Sequence, residues 1–287
     1  MTNNSKTPKA LKSGNGSNFV IPLAIVLIGS LIIFGITKML QNDRGYKDLV
    51  RDLHSKTFGN RWVAAFELSK VISSNSVKEE DVPWLIENLD DLYASAMDSR
   101  TKNFIIVALG SLGDKRGVPT IEKGILEEDP ATKFHAVVAL GSIKNSATIN
   151  FDALENLLAS QDEGLKQAAI LTLSTHKYGP SKDKIVKLLR DTSVSIRYAA
   201  ATSLIYFKSQ ACISIVKEIL KIHSTEPHPK YSTDKIYALK INILNALKNS
   251  GWTELNTFLE QIVDSEKNLK IVSVIKELLS ANKVDKI

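Results

Sequence analysis

A single cysteine, Cys212, stands in a chain of 287 residues. An internal disulfide and CxxC-type metal sites are therefore excluded. In the apolar run Cys212-Ile-Ser-Ile-Val216 it reads as a small core residue. Aromatic residues make up only 7%, and the 14 Gly and 8 Pro fall mostly between apolar runs. Few stretches alternate polar and apolar residues, which argues against sheet. No P-loop, GxGxxG, GxSxG or HExxH pattern occurs. No catalytic, cofactor-binding or metal-binding residue is therefore assigned, no cofactor is implied, and the chain reads as a non-enzyme. The net charge of +6 is mild for this length and does not demand a nucleic-acid partner. With 24% charged and 44% hydrophobic residues, the composition is that of a folded protein.

The longest uncharged run is residues 19–37, FVIPLAIVLIGSLIIFGIT. At about 1.5 Å per residue a helix of this length spans roughly 28 Å, close to the hydrocarbon thickness of a bilayer. Pro22 falls in the first turn, where a missing N–H is tolerated. A cleaved signal peptide has a shorter apolar core ending in small residues, and Lys38-Met-Leu-Gln-Asn-Asp follows here instead. The run is predicted to be a single membrane span that binds the lipid bilayer. Lys6, Lys9 and Lys12 precede it, and Lys38, Arg44, Lys47 and Arg51 follow it. This nearly ties the positive-inside count. The short basic tail tips the balance towards a cytoplasmic N-terminus and an extracytoplasmic remainder. The resulting division is a disordered basic tail at 1–18, the span at 19–37, a linker at 38–45, a helical array at 46–279 and a tail at 280–287.

What the sequence has in abundance is a repeated figure. With a Lys or Arg as position zero, apolar residues recur at +3, +4 and +7, the stripe of an α-helix. Arg61 is followed by Ala64, Ala65 and Leu68, and Lys102 by Ile105, Ile106 and Leu109. Lys133 leads to Ala136, Val137 and Leu140, and Lys166 to Ala169, Ile170 and Leu173. Arg197 leads to Ala200, Ala201 and Leu204, and Lys240 to Ile243, Leu244 and Leu247. Lys270 opens a seventh figure that departs from the pattern with Ser273, Val274 and Glu277. Successive starts differ by 41, 31, 33, 31, 43 and 30 residues. A second i, i+3, i+4 signature lies between them, as in Leu154, Leu157 and Leu158 or Val216, Ile219 and Leu220. Pro83 and Pro119 mark helix starts in the earlier copies. Tyr46, Leu49, Val50 and Leu53 supply the stripe before the first figure. Each unit is thus two antiparallel helices in about 31 residues, too small to bury an apolar face without stacking on its neighbours. The predicted fold is all-α: a solenoid of roughly six to seven helix pairs preceded by one transmembrane helix.

The stretches DPATKFHAVVALGSI and DTSVSIRYAAATSLIYF resemble HEAT repeats, and most of all the short HEAT-like class of phycobilisome lyases. That class places an Asp before the basic residue, then an Ala-rich helix, a Leu and often a Gly. Gly110 and Gly141 match the last feature, whereas Ser174, Ile205 and Lys248 replace it elsewhere. The resemblance covers about four-fifths of the chain and speaks to fold. By analogy of repeats it also implies a chromophore-lyase activity as an alternative.

Acids precede most of the basic residues: Asp98, Asp129, Asp162, Asp191 and Asp234. They read as helix N-caps and as a polar ladder between repeats. The rival is a basic column for phosphate or nucleic acid, which the acids would neutralise and which lacks a stacking aromatic column. The runs Glu79-Glu80-Asp81 and Glu127-Glu128-Asp129 read as favourable charge at helix starts. His223-Ser-Thr-Glu-Pro-His228 is the one cluster with metal-ligand residue types, and solvation is its plainer reading. His135 and His176 read as packing or surface residues. Trp62, Trp84 and Trp252 do not share a repeat position and read as packing, an exposed one being a binding anchor. The inserted segments 73–81 and 221–234 are the first places to seek specific contacts. The function expected is a non-catalytic, membrane-anchored scaffold or adaptor that binds a protein partner through its solenoid surface, with no nucleic acid.

Overall fold

A computed structural model describes residues 45–55, 57–144, 148–223, 229 and 231–284. The predicted membrane span lies outside them. Among the described residues no helix is long and apolar enough to cross a membrane. The chain divides into two units at residues 49 and 50, the second running to 287. Helix α1, Tyr46–Leu53, straddles that boundary with Leu49, Val50 and Leu53 buried.

The second unit is built of helices alone among its described residues. They are α2 (Phe58–Ser73), α3 (Val82–Ser95), α4 (Ser99–Leu112), α5 (Val118–Leu126), α6 (Pro130–Ser142), α7 (Phe151–Asn156) and α8 (Glu163–Thr175). Then come α9 (Lys182–Leu188), α10 (Val194–Leu204), α11 (Ile213–Lys221), α12 (Thr233–Ser250), α13 (Asn256–Ile262) and α14 (Leu269–Val284). Helix α14 runs past 279, the expected limit of the array. The basic figures fall on the even-numbered helices from α2 to α12. Those helices pack on one another in succession, from α2 on α4 through to α12 on α14. The odd-numbered helices each pack on the even-numbered helix that follows, from α3 on α4 to α13 on α14. The unit is therefore two layers of helices forming a solenoid.

The +3, +4 and +7 side chains form its core. Ile105, Ile106, Leu140, Leu173, Leu204, Ile243 and Leu244 are all out of water. Full burial of a leucine contributes roughly 1.5–3 kcal/mol in transfer free energy, so the stripe is the main source of cohesion. In α14 the stripe runs one residue later than Lys270 would place it, with Ile271, Ile275 and Leu278 buried and Ser273 and Glu277 exposed.

Side chains start the helices. Asp98, Asp129 and Asp162 accept the backbone N–H of Thr101, Thr132 and Leu165 at 2.9 Å. Asp191 and Asp234 are not the caps of their helices. Ser193 and Ser232 occupy the cap positions and accept from Ile196 and Lys235 instead. Asp191 pairs with the previous repeat, and Asp234 lies inside the first turn of α12. Pro83, Pro119 and Pro130 occupy first-turn positions where no N–H is needed. Gly113, at φ 64°, closes α4 in the left-handed conformation that favours glycine.

Candidate protein-binding face

Position zero of the figure lies on nearly the same meridian of its helix as +3, +4 and +7, because residues advance 100° each. Its cation is thereby aimed along the core, where an unpaired charge would be costly. The structure resolves this with acids from the loop entering the next figure helix. Lys102 Nζ lies 2.7 Å from Glu127 Oε1, and Lys166 Nζ lies 3.0 Å from Asp191 Oδ2. Lys240 Nζ lies 2.6 Å from Glu266 Oε2 and Arg61 Nη2 lies 3.8 Å from Asp98 Oδ2. Arg197 instead donates to the carbonyls of Asp191 and Thr192 at 2.7 and 3.1 Å. Arg61, Lys102, Lys166 and Lys240 thus join one repeat to the next, whereas Arg197 braces the loop before its own helix.

Of the two acidic runs, the second contributes to this ladder through Glu127. Glu127 takes both Lys102 and the Tyr93 hydroxyl, the latter at 2.9 Å, and the Lys102 bond chiefly holds its carboxyl below the usual range. Glu79–Asp81 forms a single tight turn leading into α3. His176 Nε2 meets the Leu140 carbonyl oxygen at 2.8 Å, and its ring meets Phe151 edge-on. Cys212 is buried and donates to the Ser209 carbonyl, and burial pushes its thiol up to about 12. Ser224 to His228, the greater part of the histidine loop, lies outside the described residues. Among the described residues no three His, Cys, Asp or Glu stand together as a metal site.

What remains exposed is a second set of columns in the same figure. Positions +1 and +5 lie roughly 130° round the helix from the buried stripe. They carry Trp62, Phe66, Val107, Phe134, Val138 and Leu171, between 39% and 56% exposed. Because α2, α4, α6 and α8 pack in succession, these side chains share one face. Trp62 is thus an exposed residue of this face, whereas Trp252 is packed inside as expected. At the α2–α4–α6 end the face sinks into a groove lined by Trp62, Phe66, Phe104 and Val107, with Arg100 and His135 at its edge. Asn103 Oδ1, also lining it, is buried without a hydrogen-bond partner. Along α10 and α12 the +5 column turns polar, as Thr202 and Asn245.

The sequence search for apolar residues at buried spacing passed over these columns. Asking which apolar residues lay off the stripe would have found them, since Trp62 and Phe134 share +1 and Phe66, Val107, Val138 and Leu171 share +5.

The family model for HEAT repeats matches residues 82–174. No curated protein matches the chain by sequence. Among solved structures, the chain is similar to the complex of CpcE and CpcF of phycocyanin lyase from Nostoc sp. PCC7120. The identity is 15% and the TM-score 0.58, over 83% of this chain and 94% of that one. It is also similar to the YibA protein of Escherichia coli, at 15% identity and TM-score 0.51, over 84% and 83% of the two chains. At such identity the likeness is one of fold: a HEAT-like helical array.

Proposed function

We propose that this protein is a non-catalytic scaffold that docks a protein partner on the exposed face of its figure helices, tethered to a membrane by residues 19–37. The observation that carries the reading is the shared face of Trp62, Phe66, Val107, Phe134, Val138 and Leu171. Apolar side chains gathered on one face of a folded array mark an interaction site more often than scattered ones do. Trp and Phe are strong anchors when a partner covers them. The tether rests on the uncharged run at 19–37, and the extracytoplasmic side rests on the basic tail before it. Nucleic acid is disfavoured as a partner because Lys102, Lys166 and Lys240, three of the cations at position zero, are engaged with acids.

The test is site-specific photocrosslinking in native membranes. A crosslinker at Val138 captures the partner, and one at Glu87, exposed on the opposite layer in α3, does not. Capture from Glu87 alone, or from neither, removes the reading. Extraction at alkaline pH leaves the protein in the membrane pellet if residues 19–37 span the bilayer, and release removes the tether.

Likeness to the CpcE–CpcF lyase complex supports a second reading, a chromophore lyase. Visible absorbance acquired by a co-expressed acceptor protein would favour it over the scaffold.

A further inference from the structure

Where the exposed face turns polar, across α8, α10 and α12, it forms a groove of about 330 Å³. Its apolar floor includes Leu171, Ala199 and Leu239. Three primary amides, Gln167, Asn242 and Asn245, project into it. Among the described residues none of the three makes a hydrogen bond within the protein. Among the described residues no carboxylate lines the groove, and Lys235 there has no ion pair. The Tyr198 ring between the amides is held in place by its hydroxyl, which donates to Glu218 at 2.9 Å.

We infer that this groove binds an extended, acidic segment of the protein partner by reading its peptide backbone. The inference rests on the scaffold reading and adds what part of the partner is held here. A primary amide offers donors and an acceptor together, the complement of a peptide group. A helical partner keeps its backbone groups for itself and so offers no peptide group to three unused amides. An extended strand leaves half or more of its N–H and C=O groups open. The geometry fits. Packed helices stand about 8–10 Å apart, so amides on α8 and α12, two helices apart, lie roughly 16–20 Å apart along the groove. An extended chain advances about 3.3 Å per residue and spans that distance in five to six residues. Leu171 and Leu239 then receive an apolar side chain, and Lys235 selects a carboxylate. With Lys235 the one cation lining it among the described residues, the groove is poorly suited to nucleic acid.

The experiment uses the full-length protein in detergent micelles against arrays of peptides about nine residues long. One Leu and one Asp are moved through a Gly-Ser-Thr background at every spacing. Parallel sets carry Lys in place of Asp, or methyl groups on alternate backbone nitrogens. At least one Asp peptide is retained, and its binding weakens about tenfold on either change. Asn242→Ala with Asn245→Ala, both on the exposed side of α12, weakens it similarly without lowering the melting temperature. Lys235→Glu turns the preference towards the Lys peptides. Retention of no peptide, or equal retention of the methylated set, overturns the inference. If crosslinking from Val138 survives the double substitution undiminished, the scaffold reading stands and this groove is not where the partner's strand lies.

Discussion

Lys240 and Glu266 meet at 2.6 Å with side chains 3% and 6% exposed, a lysine of one repeat sealed against an acid of the next. Glu266 Oε1 also accepts the Asn268 N–H at 2.8 Å, so the acid is fixed from two sides. Removing one partner leaves the other buried and uncompensated. Lys240→Met is expected to destabilise the protein by about 3–5 kcal/mol, and adding Glu266→Gln to restore all but about 1 kcal/mol. Urea unfolding of the two variants measures both. An unchanged midpoint for the single variant would show that the pair does not hold these repeats together.

Gly110 is tighter than any side chain allows. A Cβ there would stand 2.6 Å from the Ala139 Cβ and 2.8 Å from its Cα. Gly110→Ala is expected to push α4 from α6 at a loss of about 1–3 kcal/mol. Gly141→Ala, which meets the Thr172 hydroxyl at 3.0 Å, is expected to lose less. Thermal melting of the pair ranks them, and the reverse order would contradict the close approach.

Leu140→Ala and Leu204→Ala delete fully buried side chains and are each expected to lose about 2–5 kcal/mol. Val138→Ala, in the exposed +5 column, is expected to change stability by less than about 0.5 kcal/mol. Equal losses at Leu140 and Val138 would mean that the buried and exposed columns had been confused.

The helix caps predict an acid transition. Burial raises the Asp98 carboxyl, but the Thr101 N–H and hydroxyl and the Arg61 guanidinium outweigh it and hold the group below 3.8. The Thr132 hydroxyl and N–H do the same at Asp129. A carboxyl whose pKa is lowered by folding contributes stability above its unfolded value and loses it as pH falls through the folded one. The melting temperature should therefore drop between about pH 4 and pH 2. Asp98→Asn with Asp129→Asn keeps two capping acceptors and should flatten that drop. A profile identical to that of the unaltered protein would exclude the caps as its cause.

Trp62→Ala with Phe66→Ala should weaken partner capture at least about tenfold while leaving the melting temperature in place. Loss of both together would assign these side chains to folding.

The layered helices were legible because one stripe recurs with one chemistry. Once +3, +4 and +7 are buried, the angle of position zero also calls for a partner to its cation, and the chain supplies an acid at Arg61, Lys102, Lys166 and Lys240. Asp191 and Asp234 do not cap because Asp191 falls before the cap position and Asp234 after it, and Ser193 and Ser232 fill the position itself. The binding face was less legible. An exposed Phe66 and a buried Leu68 look alike in composition, and only their angle about the helix separates them. The free amides of the α8–α12 groove left no mark, since Asn and Gln on a helix surface are ordinary until their neighbours prove uncharged.

The interlocking of cations with the following loop gives the array a direction. Where the bridge is made, at Arg61, Lys102, Lys166 and Lys240, the following copy lends its acid backwards, so shortening the protein from its front merely frees a carboxylate into water. Cutting from the rear strands a lysine in greasy surroundings with no counter-ion. Deletions from the two ends should thus be unequal, and the copy that most needs its successor is the one holding Lys240.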